Sequence, residues 1–155
     1  MQSRQTGGER GFVACALGPS TYAVGIEHVR EIILPVTLSP LPHSPHGVIG
    51  AVDHRGEIVP VLDLGLRLGY GETTSARRKW IIVRIGDRSL GVVVGNVMEV
   101  FRVDDADIRP APDIGDLPIR TCKTVVSFAE SMAFILDVDS LAALSEMNSP
   151  GRMLA

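Results

Sequence analysis

The 155-residue chain is predicted to be mostly β structure, arranged as a pair of small closed barrels packed together. Three observations predict this. Val (18 residues) and Ile (12) together exceed Leu (14) and Ala (12), a bias toward pleated, half-buried surfaces. Short apolar stretches are punctuated by Gly, Pro, Asp and Ser at about ten-residue intervals, the spacing of an all-β sandwich or barrel. The chain also repeats itself, and two copies are too few for a solenoid but suit two sheets that each close on themselves, which removes exposed edges.

Taken in order, residues 1–10 are polar and glycine-containing and are expected to be a disordered segment, with the folded body running over 11–145. Residues 12–17 and 22–26 read as two strands around the turn Gly18-Pro19-Ser20-Thr21. Residues 39–45 hold three prolines, Pro40, Pro42 and Pro45, and are expected to be an extended surface connection. Residues 50–64 read as a turn between two apolar strands, in which Gly56 supplies a positive φ and Arg55 is projected as a planar five-donor fork. A helical turn or two is expected near 64–68, followed by a flexible polar linker from Gly69. Residues 80–85 and 90–94 repeat the opening hairpin around Gly86-Asp87-Arg88-Ser89. A second helix is expected over 140–147 with Asp139 as its N-cap, and 146–155 as a flexible tail.

The duplication is specific. At an offset of 68, Leu17 falls on Ile85, Gly18 on Gly86, Val24 on Val92 and Ile26 on Val94. Val29, Glu31 and Ile32 fall on Val97, Glu99 and Val100. Slips of two and then four residues align 38–42 with 108–112 and 58–64 with 132–138. The copies span about 12–68 and 80–145.

The charge balance, 15 basic against 18 acidic residues, lacks the basic footprint of a nucleic-acid binder. No apolar run approaches the ~20 residues of a membrane-spanning helix and the start has no signal-peptide core, which predicts a cytoplasmic protein without direct membrane insertion. Cys15 and Cys122 have no Cys-x-x-Cys spacing and read as buried free thiols. His43, His46 and His54 cluster in sequence, but in a Pro-rich stretch with no companion ligand set, so no metal or cofactor is assigned. Ser44, His46 and Asp53 make a triad on paper without a nucleophile elbow, and 69–74 is neither a Walker loop nor a dinucleotide fingerprint, so no catalytic residues are assigned and the chain is not read as an enzyme. An oligonucleotide-binding module is the alternative; it would draw on seven aromatic residues and the basic run Arg77-Arg78-Lys79, which also reads as a solvated gatekeeper before a hydrophobic strand.

These residues resemble the CheW family of chemotaxis coupling proteins over almost the whole folded body. Val29-Arg30-Glu31-Ile32 is similar to that family's Val-x-Glu-Ile, and 50–64 to its Gly-Val-x-Asn-Leu-Arg-Gly-x-Ile-Val-Pro-Val-x-Asp-Leu. Residues 91–97 resemble its Gly-[Ile/Val]-Val-Val-Asp-x-Val, and Arg109-Pro110-Ala111-Pro112 its Arg-Pro-x-Pro. The resemblance implies an all-β fold of two interleaved five-stranded SH3-like barrels around a shared hydrophobic interface, with few short helices and no catalysis. It implies a scaffold that holds a CheA-like histidine kinase and the cytoplasmic hairpin tips of chemoreceptors, and so lies at membrane arrays through its partners. It places Val29, Glu31, Ile32, Arg55 and Gly56 on binding surfaces, with Val92, Val94 and Val97 lining the groove of the receptor tip. Asp53-His54 departs from the family's Asn-Leu, and an Asp53–Arg55 contact is expected to compete with a partner.

Overall fold

The computed structural model describes residues 8–42, 44–112 and 122–147, with side chains described as far as residue 142. Among these, eleven strands dominate. The first copy supplies β1 (Glu9–Leu17), β2 (Ser20–Gly25), β3 (Val29–Ile33), β4 (Val48–His54), β5 (Glu57–Asp63) and the short helix α1 (Leu64–Leu68). The second supplies β6 (Lys79–Ile85), β7 (Arg88–Val94), β8 (Asn96–Asp104), β9 (Arg109–Pro110), β10 (Thr124–Phe128), β11 (Ser131–Ile135) and helix α2 (Val138–Met147). β1 begins at Glu9, so the strand takes in residues expected to precede the folded body, and residues 1–7 and 148–155 lie outside the described residues.

The strands form two sheets, ordered β8-β1-β2-β11-β10-β9 and β3-β6-β7-β5-β4. Apart from the two-residue β9, one order maps onto the other by exchanging the copies: β8 for β3, β1 for β6, β2 for β7, β11 for β5, β10 for β4. Each sheet therefore takes its opening hairpin from one copy and its other strands from the second, which is the interleaving expected. The ladder registers repeat the sequence alignment. Ile32 lies opposite Ile81 as Val100 lies opposite Val13, Ile33 opposite Trp80 as Phe101 opposite Phe12, and the parallel pair Val61–Gly91 matches Ile135–Ala23.

Alternation along the strands sorts their apolar side chains into three cores. Val13, Cys15, Leu17, Tyr22 and Val24 from one sheet meet Leu62, Ile81, Val83, Leu90, Val92 and Val94 from the other in a shared core. The opposite faces fill each sheet's own interior, with Phe12, Ala23, Val126, Ala133 and Ile135 in one and Val52, Val59, Val61, Trp80 and Val93 in the other. The latter sheet is strongly curled. Its end strands β3 and β4 would lie roughly 19 Å apart if flat, yet Glu31 of β3 is 3.0 Å from His54 of β4. Backbone bonds of 2.9 Å in both directions between Ser39 and Ala51 bring the chain after β3 alongside β4. Gly50 permits this approach, since a Cβ there would lie 2.7 Å from the Ser39 carbonyl oxygen.

Both α-helices are capped by the aspartate that precedes them, Asp63 at the end of β5 and Asp137 two residues after β11. Asp63 accepts from the Gly65 amide at 2.9 Å and Asp137 from the Ser140 amide at 3.2 Å. The N-cap expected at Asp139 is thus at Asp137, and Asp139 lies within the first turn of α2. Asp63 is buried and also accepts from the Thr73 amide at 2.9 Å and the Thr73 hydroxyl, while the Tyr70 hydroxyl lies 2.8 Å from that of Tyr22. The linker expected to be flexible is therefore tied to the fold at Tyr70 and Thr73. Such a network tolerates burial because its amide donors are satisfied.

Candidate functional site

The hairpin of β4 and β5 reverses through Arg55 and Gly56, with His54 paired to Glu57 and φ values of 53° and 85°. Positive φ at both central residues is the type I′ turn that suits twisted strands. Gly56 adopts such a φ freely; Arg55 does not, and Asp53 supports the turn by accepting from the Gly56 amide at 3.0 Å. The expected Asp53–Arg55 contact is thereby corrected: the short Asp53 side chain folds onto its own turn.

Arg55 faces Glu31 instead. Its Nε donates to Oε1 and its Nη2 to Oε2, each at 3.1 Å, a bidentate fork. His54 Nε2 lies 3.0 Å from the same Oε1. The Arg55 hydrogen bonds and charge, with help from His54, hold the Glu31 carboxyl below its ordinary range, and Glu31 raises Arg55 in turn. The preceding residue makes a charge-reversed contact. Arg30 Nη1 donates to Glu57 Oε1 at 3.2 Å and to Ser89 Oγ at 2.9 Å, and Ser89 Oγ donates to Glu57 Oε1 at 3.2 Å. Consecutive residues of β3 both reach the hairpin because the ladder with β6 shifts between Val29 and Glu31, and such a bulge re-aims side chains.

Exposed aliphatic side chains flank this clasp in the chain: Ile32 (37 %) next to Glu31, Leu34 (66 %) and Val36 (55 %) just after, and Ile58 (67 %) paired with Asp53. Of the sequence-assigned surface, Glu31, Ile32, Arg55 and Gly56 lie at or beside the clasp, and Val29 is half-buried against the shared core. Val92 and Val94 are corrected: both are buried in the shared core between the sheets, so their side chains shape the scaffold from beneath and are not presented to a partner. Val97 is half-buried against the same core, while Met98 and Val100 beside it are exposed. Leu34, Val36 and Met98 lie outside the quoted motifs, and His54 and Ile58 lie within them without being assigned to the surface. For Val100 the signal was available, as the repeat mate of Ile32.

The remaining candidates disperse. His46 Nε2 contacts the Leu66 carbonyl at 3.0 Å, Ser44 donates to the Val48 carbonyl, and Asp53 is held in its turn, so the paper triad is not assembled. His43 lies outside the described residues, among which no group of three or more His, Cys, Asp or Glu could hold a metal ion. Both cysteines are buried and outside any disulfide, and burial, with Cys122 nearby, pushes the Cys15 thiol up to about 12. Phe12, Tyr22 and Trp80 are buried, which withdraws them from any base-stacking platform. The basic run is engaged locally, with Arg78 donating to the Ser75 carbonyl and Lys79 to that of Arg77. No helix among the described residues is long and apolar enough to cross a membrane.

Comparison with known proteins decides the family. The CheW-like domain matches residues 11–146. The chain belongs to the CheW-like family. It is 33 % identical over 138 residues to the chemotaxis protein CheW of Rhizobium meliloti (strain 1021), covering 88 % of this chain and 89 % of that one. It is 37 % identical over 109 residues to protein FrzA of Myxococcus xanthus, covering 70 % and 68 % respectively. Among solved structures, it is similar to the scaffolding protein TtCheW from Thermoanaerobacter tengcongensis, with a TM-score of 0.77 and 27 % identity over 84 % of this chain and 90 % of that one. A CheW-like scaffold in chemotaxis signalling accounts for the two-sheet architecture.

Proposed function

We propose that this CheW-like chain is a non-enzymatic adaptor coupling the cytoplasmic hairpin tips of chemoreceptors to a CheA-type histidine kinase, working in the cytoplasm and reaching membrane arrays through those partners. The observation that carries the reading is the clasped hairpin tip, a charged turn accompanied by exposed Ile32, Leu34, Val36 and Ile58. Apolar anchors of this kind supply affinity while charged hydrogen bonds fix register. An interface of standard size buries about 800 Å² per partner, with a few residues carrying most of the energy. Burial of Phe12, Tyr22 and Trp80 weighs against the oligonucleotide reading.

The test is reconstitution with the purified kinase and a receptor hairpin fragment. Arg55→Ala or Ile58→Lys is expected to weaken capture of at least one partner by roughly tenfold or more, as hot-spot truncation does, with the thermal unfolding midpoint nearly unchanged. Equal capture by wild type and both variants would remove the hairpin tip from the interface.

A further inference from the structure

The geometry points to His54 as the positioning residue that holds the Arg55 fork in place, an assignment that rests on reading the hairpin tip as a docking surface. Arg55 and Glu31 expose 66 % and 33 % of their side chains, so the pair is open to water and each member is free to swing. His54 is different. Its side chain is only 13 % exposed and it is fixed on β4, so its contact with Oε1 anchors Glu31 from the scaffold side. A carboxylate has about four lone-pair sites; Arg55 uses one on each oxygen and His54 takes a further one on Oε1. With Glu31 immobilised, Arg55 Nε and one N–H of Nη2 are committed to its carboxylate. Both N–H groups of Nη1 and the second N–H of Nη2 are the donors left for a partner's carboxylate or backbone carbonyl.

The second barrel shows that the clasp is not needed to build the hairpin. There the repeat mates of His54, Arg55 and Gly56 are Phe128, Ala129 and Glu130, and the turn forms with φ of 48° and 66° all the same. Phe128 packs on Phe101 with ring centroids 4.8 Å apart, and Glu99, the mate of Glu31, has neither a histidine nor an arginine against it among the described residues. One fold thus closes one barrel end with aromatic rings and the other with a three-membered polar clasp. The hairpin needs no clasp; the orientation of Arg55 does. Fixing that side chain before a partner arrives lowers the ordering cost of binding.

The experiment follows the Arg55 side-chain Nε–Hε signal by NMR in the full chain, comparing wild type with His54→Leu, His54→Ala and His54→Gln, the last retaining an amide donor. Water exchange of Hε is expected to rise roughly tenfold in the two donor-free variants and to stay within about twofold of wild type in His54→Gln, since protection tracks opening of the bonded state. Unchanged exchange in His54→Leu and His54→Ala overturns the assignment, as does equal loss in His54→Gln, which would make the ring's bulk the cause. Binding to the purified kinase and receptor fragment is measured on the same samples. If exchange behaves as expected and all four proteins bind alike, the clasp stands and the docking reading of the tip falls; a weaker affinity confined to the donor-free variants supports both.

Discussion

At the scale of single residues, Glu31 is where charge, hydrogen bonding and pH meet. Arg55 first, and His54 with it, lower the Glu31 pKa relative to an unfolded chain. A carboxyl whose folded pKa is depressed contributes stability that is present above its unfolded value and is lost as pH falls through the folded one. We expect the clasp to persist from neutral pH down through the ordinary carboxylate range and to open only below it. Following the Glu31 carboxyl carbon and the Arg55 Nε–Hε signal in one acid titration checks this. A Glu31 midpoint at or above the usual glutamate value would show that the clasp does not form in solution. The same residues mark the limit of sequence reading. The family resemblance placed Glu31 and Arg55 on binding surfaces but did not pair them; that they meet, that His54 joins them, and that Asp53 does not, depends on a β-bulge and a left-handed arginine that no local pattern announces.

At the scale of elements, the duplication reaches down to the caps. Asp63 and Asp137 are repeat mates, and each caps the helix that follows it. Their surroundings differ. Asp137 is pushed up by partial burial but pulled below its ordinary value by the Ser140 hydroxyl and amide and by Lys123, and remains partly open to water. Asp63 is buried and satisfies the amides of Gly65 and Thr73 together. Loss of an N-cap costs about 0.5–2 kcal/mol, and buried donors left unpaired cost about 1–3 kcal/mol. Asp137→Ala is therefore expected near the lower figure and Asp63→Ala near or above the top of the first range, as read from denaturant midpoints at constant m-value. Equal costs would show that the Thr73 tether contributes nothing. Strand pairs and α1 were legible because alternation and turn residues are local signals; the cap at Asp137 was misplaced by two residues because Asp139 satisfies the same local preference and only the tertiary setting separates them.

For the whole molecule, the exchanged hairpins determine what counts as a folding unit. The repeat was visible in sequence, and the registers follow it strand for strand, but the alignment alone does not say whether each copy closes its own barrel. The ladders answer this: β1 and β2 join β8 and β11, and β6 and β7 join β3 and β5. A chain cut between Ala76 and Arg77 keeps the Asp63–Thr73 tether with the first fragment, yet deprives that fragment's β3 and β5 of the two strands between them. The shared core is lost as well, and each fully buried Val, Leu or Ile is worth roughly 1.5–3 kcal/mol. Fragments 1–76 and 77–155 are therefore expected to be largely unfolded apart and to regain the β circular dichroism spectrum and a single cooperative unfolding transition when mixed in equal amounts. Either fragment unfolding cooperatively by itself would mean that a copy can close its own sheet. Reconstitution only on mixing would instead make the two barrels one thermodynamic unit, through which strain at the clasped end reaches the shared core without a hinge between domains.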